Sequence, residues 1–175
     1  MRCFKILCTL LIASAITNKS FCQKNCSYTI DTAKILANKN LDSFLIKFEK
    51  DFFKITNNKN DIPKFIKRDL DCLANDFSLA NPGEPFQQTD VIFQKLPWRQ
   101  LVFLAKSKDL IVLSYLKGGW GLSQHLVFIK FKNEAIIDFW SGYCSQGIKT
   151  KDQITDYIKK NRNVKSEFNS NIISL

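Results

Sequence analysis

The sequence predicts an α+β fold, with N-terminal helices packed on a curved four-stranded antiparallel meander and a short helix after the last strand. Three observations predict it. Apolar residues recur at helical spacing between residues 41 and 77. After Asn81-Pro82-Gly83-Glu84-Pro85 the chain changes to runs rich in Val, Ile, Leu, Phe and Tyr, parted by short turn signals. Thr150 and Gln153 then stand at capping-box spacing.

The first helix is expected from a cap at Asp31 to Ala37. In the next segment Leu41, Phe44, Leu45, Phe48, Phe52 and Ile55 form one stripe, with Asn40 as its cap and Asn57-Asn58-Lys59-Asn60 as its end. Asp61 caps a third helix, with Pro63 tolerated in its first turn and Ile62, Phe65, Ile66, Leu70, Leu73 and Phe77 on its inner face. Residues 86–97 read either as a short helix capped at Thr89 or as an irregular crossing. The four strands are expected at 100–106, 109–117, 123–132 and 134–143, and the last helix runs to about Lys160 with Ile154, Tyr157 and Ile158 inward. Both alternating sets of the strands are apolar, so the sheet must be covered on both faces or curl around its own interior. Helices first and a curved antiparallel sheet second resembles the NTF2-like and cystatin-like folds over residues 40–143. That resemblance is one of element order and carries no function.

Residues 1–22 read as a cleaved secretory signal peptide. Arg2 and Lys5 precede an apolar run from Ile6 to Ile16, and Ser20 and Cys22 are small residues at −3 and −1 before Gln23. The run is shorter than the roughly 20 apolar residues a membrane-spanning helix needs. A lipid-modified cysteine would follow an aliphatic residue at −3 and a small one at −1. Cys22 follows Lys19 and Phe21, and Cys26 follows Gln23 and Asn25, so neither fits. Residues 23–160 are expected to form one domain and 161–175 a loosely held tail. The expected destination is periplasmic or extracellular.

Removal of Arg2, Lys5 and Lys19 takes the formal charge from +10 to +7. Lys dominates over Arg and acidic residues are interleaved, which argues against a nucleic-acid partner. A positive field favours anionic surfaces such as polysaccharide, lipid headgroups or an acidic protein, unless the lysines only keep the surface solvated. Three cysteines follow the cleavage point: Cys26, Cys72 and Cys144. In an oxidising compartment one bridge is expected, and Cys72–Cys144 is favoured because both lie in predicted ordered structure. The alternative is that all three are small buried side chains.

Gly118-Gly119-Trp120-Gly121 is the most unusual segment. Its Trp either projects from a hairpin tip, to stack on a sugar or anchor a partner, or folds back over the core. Trp98, Trp140 and Tyr143 could join it at the same sheet end. His125 is the only histidine. With a loop at 118–121, Lys117 would pair with Leu122 and Ser114 would lie across from His125. With a turn at Asn133-Glu134, Gly142 would lie on its other side. A Ser beside a His suggests an activated nucleophile, yet no strand-turn-helix elbow holds this serine. Asp138 would share the face about 13 Å away at roughly 3.3 Å per residue, too far to orient the imidazole. Cys144 as a nucleophile suits an oxidising compartment poorly. Asp90, Asp109, Glu134 and Asp138 show no pairing pattern for glycoside hydrolysis. Metal-ligand spacing and a phosphate loop are missing, so no metal or cofactor is expected.

These readings lead to a non-catalytic binding module. A small apolar or sugar ligand would lie between helices and sheet, with Ser114, Trp120, His125, Trp140 and Tyr143 lining or rimming the pocket. The alternative is a protein-interaction role in the cell envelope, of inhibitor or immunity type, with an acidic partner. A flat exposed apolar patch in place of a closed pocket would favour that role. A Ser–His or carboxylate hydrolase is the third reading.

Overall fold

A computed structural model describes residues 26–163, apart from 93 and 145. The signal-peptide expectation, and the tail expectation from 164 onward, lie outside the described residues. The architecture is α+β, built on an antiparallel sheet of more strands than the four expected. In chain order the elements are α1 (Thr32–Leu36), α2 (Leu41–Lys50), β1 (Lys54–Ile55), a 3-10 turn (Lys59–Asp61), α3 (Lys64–Leu73), β2 (Leu79–Ala80), β3 (Arg99–Lys106), β4 (Leu110–Lys117), β5 (Ser123–Lys132), β6 (Ala135–Cys144) and α4 (Lys151–Asn161).

Local chemistry accounts for most boundaries. The Asp31 carboxylate accepts from the Lys34 N–H and starts α1. Thr150 and Gln153 complete the reciprocal capping box of α4. Asn38, Asn57, Asn75 and Asn133 all adopt left-handed backbone conformations. Asparagine tolerates that region better than other side-chain-bearing residues, so these sites turn the chain without glycine. Asn133 and Glu134 together make the two-residue turn between β5 and β6, with φ of 51° and 58°.

Two helix boundaries differ from expectation. The stripe through Phe52 and Ile55 breaks at Asp51, which is extended, so α2 stops at Lys50. Lys47 pairs with both Asp51 and Asp109, pinning the end of α2 to the β3–β4 turn. Phe53, not Phe52, then turns inward, and Phe52 is left exposed. The third helix begins at Lys64, not behind Asp61, because residues 59–61 form the 3-10 turn and Pro63 starts the α-helix. Residues 86–97 take the irregular crossing, with Thr89 bridged to Gly119.

The sheet order is β1-β3-β4-β5-β6, and β2 adds a short parallel pairing to β3. The sheet is covered on both faces. On one side α2 brings Phe44 and Phe48 onto Phe128, 5.6 Å between ring centroids in each case, and Phe48 also meets Phe103. Helix α4 packs beside α2, with Ile154 and Ile158 wholly buried. On the other side lie α3 and the segment after it, where Phe77 meets Tyr115 edge-on. A bulge between Leu101 and Phe103 lets β3 serve both layers, because Leu101 pairs with Tyr115 and Phe103 with Ser114. The core is therefore continuous through the sheet.

The disulfide joins Cys26 to Cys72 and ties the chain ahead of α1 to α3. This overturns the expected Cys72–Cys144 bridge. Cys144 pairs with Gln124 and shares the sheet face of Ser114, the α2 face, whereas Cys72 rides on the helix of the opposite face. The sheet stands between them, and Cys144 is a buried free thiol. Its pKa is raised to about 12, chiefly by burial, which makes it inert.

Candidate functional site

The β4–β5 hairpin ends in a five-residue loop, because Lys117 pairs with Ser123. Two strand-crossing contacts shape it. The Gly118 N–H donates to the Trp98 carbonyl and the Gly119 N–H to the Gln88 carbonyl, each at 3.2 Å. Gly118 is required by close approach: a Cβ there would lie 2.0 Å from the Gln87 carbonyl oxygen. The 86–92 segment is thus zipped against the hairpin tip. The Gln87 amide holds that segment in shape by donating to the carbonyls of Thr89 and Val91. Trp120 projects from the tip fully exposed, at 101%. Val91, Ile92 and Leu122 are exposed beside it on the two joined loops.

Below the tip lies a row of rings across three strands. Tyr115 and Tyr143 pair with His125 from either side. The His125 ring stacks on Tyr115 at 5.1 Å, nearly parallel, and stands 4.5 Å from Tyr143. The Arg99 guanidinium sits over Phe77 at 4.7 Å and over Tyr115 at 5.9 Å. Nε2 of His125 is 2.9 Å from the Ser123 hydroxyl. The imidazole pKa is lowered to about 3, first by burial and then by the Lys117 and Arg99 charges. His125 is consequently neutral at pH 7.

The expected Ser114–His125 pairing does not form because of a one-residue shift in the hairpin, and a second shift replaces Gly142 with Tyr143 beside His125. The hairpin loop holds five residues where four were expected, and a bulge at Lys130/Phe131 offsets β6. A slip of one residue turns a side chain to the opposite face. Ser114 therefore pairs with Leu126 on the α2 face, and His125 faces α3 beside Tyr143. Asp138 also leaves the His125 face. It accepts instead from Lys34 and Asn40, both at 2.8 Å. Ser123 stands by His125 in place of Ser114, but the charged groups that shift the imidazole are both cations. A base with so low a pKa, and no carboxylate among its charged neighbours, is poorly built to activate a serine at neutral pH.

The five residues expected to share a pocket are thus separated. Trp120 is on the surface, His125 and Tyr143 lie on one face, and Ser114 and Trp140 on the other. Trp140 is wholly buried against Phe128 and donates its indole N–H to Asn38 at 3.0 Å. The buried core of the described residues runs through both faces of the sheet. A cavity of about 310 Å³ lies along α3, lined by Ile62, Leu70, Phe77 and Leu79 together with Lys59 and Lys67.

No family model, no curated protein and no solved structure matches the chain. The resemblance to NTF2-like and cystatin-like folds therefore stays at element order.

Sequence reading missed two supports of this end of the sheet. Gln124 is buried and fully engaged: its amide donates to Ser114 at 2.9 Å and to the Ile148 carbonyl at 2.6 Å, and its carbonyl accepts from Gly147 at 2.9 Å. It clamps the segment after β6 beneath the strands. Arg99 is likewise buried. A polar residue in an apolar strand is the only signal for either, and both faces of these strands are apolar enough to hide it.

Proposed function

We propose that this protein is an exported, non-catalytic binding module whose working surface is the β4–β5 hairpin tip with the 86–92 segment. The full exposure of Trp120, next to two loop N–H groups fastened to Trp98 and Gln88, carries this reading. Trp120 stands wholly in water and Val91, Ile92 and Leu122 partly so, which forgoes part of the roughly 1.5–3 kcal/mol that full burial of a large apolar side chain brings. A patch of that kind at one end of a covered sheet marks a contact surface. The Cys26–Cys72 disulfide, and the lack of any helix among the described residues long and apolar enough to cross a membrane, are compatible with export.

The test is a photoreactive residue at position 120 in the producing cell, with the same group at Lys132, an exposed site at the opposite end of β5, as the control. The expected outcome is an adduct from position 120 alone, seen by intact mass on a chain that begins at Gln23. Trp120→Ala should melt within a degree or so of the native protein, since the side chain touches little. Equal labelling from both positions, or none from 120, would refute the surface.

A further inference from the structure

We infer that the hairpin tip seats on a lipid surface bearing anionic headgroups, an inference that rests on the binding reading above and names its partner. The exposed apolar side chains sit on two loops joined by one backbone bridge. The Thr89–Gly119 bridge joins the two loops, and Val91 (53% exposed), Ile92 (63%), Trp120 (101%) and Leu122 (37%) all stand out from them. A protruding Trp with aliphatic neighbours suits the headgroup boundary, where the ring enters the apolar layer and the indole N–H stays wet.

Charge complements this. Lys95 lies on the crossing that carries Val91 and Ile92, and Lys149 follows Gly147, whose N–H is held at the same sheet end by Gln124; both lysines are exposed. Asp90 is the one acidic residue in segments 86–98, 117–123 and 146–150. The chain from Gln23 onward carries a formal charge of +7. Lysines near an anionic leaflet add attraction that salt weakens.

Size decides between a bilayer and a protein. A stable protein interface buries about 800 Å² on each partner, and a buried Trp supplies at most about 250 Å². One Trp and three aliphatic side chains on a convex tip fall short of a protein interface. A lipid surface takes such a wedge without a matching pocket.

Co-sedimentation of the exported chain, beginning at Gln23, with vesicles tests the inference, using phosphatidylcholine alone and phosphatidylcholine mixed with phosphatidylglycerol. The protein should sediment with the anionic vesicles and only weakly with the neutral ones. Trp120→Ala should lower the bound-to-free ratio by roughly tenfold or more, in line with loss of one large apolar anchor. Lys95→Gln with Lys149→Gln should remove the preference for anionic lipid, as should high salt. Unchanged vesicle binding by Trp120→Ala, or equal binding to both vesicle types, overturns the inference. Native protein that binds neither vesicle overturns it too, and a protein adduct from position 120 would then leave the binding reading standing. A Trp120→Ala protein that melts far below the native one would defeat both.

Discussion

His125 shows how a single residue's surroundings set its chemistry. In an exposed position it would titrate near 6.5. Burial among Tyr115, Tyr143, Lys117 and Arg99 takes its pKa down to about 3. Between those values the unfolded chain binds a proton that the folded chain does not, so protonation favours unfolding. The stability conferred by the neutral imidazole is full above pH 6.5. It falls as pH drops below that value and is exhausted near pH 3, where the folded state protonates as well. Lowering the pH from 7 to 5 should cost about 2 kcal/mol through this residue alone. Urea titrations at the two pH values check it, and His125→Phe should flatten the difference. An equal pH slope in both proteins would assign the loss to other groups.

The residue scale also marks the limit of sequence reading. The prominence of Trp120 and His125 was legible, one for its glycine setting and the other for being alone. Their relation to Ser114, Trp140 and Asp138 was not, because parity across a sheet depends on loop length and bulges, and each shift of one exchanges faces.

Among the elements, the hairpin tip needs glycine at Gly118 for space and at Gly119, with φ of 135°, for its backbone, but not at Gly121. A Cβ at Gly118 would collide with backbone atoms of Gln87 and Gln88, whereas one at Gly121 would meet nothing within 4 Å. Gly118→Ala should therefore push the 86–92 segment off the tip and destabilise the protein by about 1–3 kcal/mol, the usual range for forced overpacking. Gly121→Ala should be close to neutral. Thermal melts and hydrogen exchange at residues 87–91 separate the two, and equal behaviour would mean the segment yields without cost. The four main strands and their turns were readable, since β-rich runs and Asn133-Glu134 are local signals. The end of α2 was not, because the stripe continues past Lys50 and only the pairing of β1 with β3 draws the chain into an extended form.

At the scale of the whole molecule, apolar strands in both alternating sets pointed to a sheet covered twice. The structure meets that demand with α2 and α4 on one face and α3 on the other. The Cys26–Cys72 bridge then secures α3 to the chain ahead of α1, across a separation of 46 residues. The chain-entropy model assigns such a closure up to about 4 kcal/mol. Replacing both cysteines by Ser should lower the urea midpoint correspondingly, and Cys144→Ser should cost much less because that thiol closes no loop. A double variant as stable as the native protein would mean that α3 is held by packing alone.

What the sequence determined by itself was the α+β class, the order of the four long strands with their limits to within one residue, the caps at Asp31 and Thr150, and the oddity of the Gly-Trp-Gly tip. Each follows from interactions within a few residues or from a period readable along one segment. Only the tertiary structure decided which cysteines meet, which face each strand residue takes, and that Trp140 is core while Trp120 is surface. Those outcomes depend on register and on which helix covers which face, and both are settled by contacts between segments far apart in the chain.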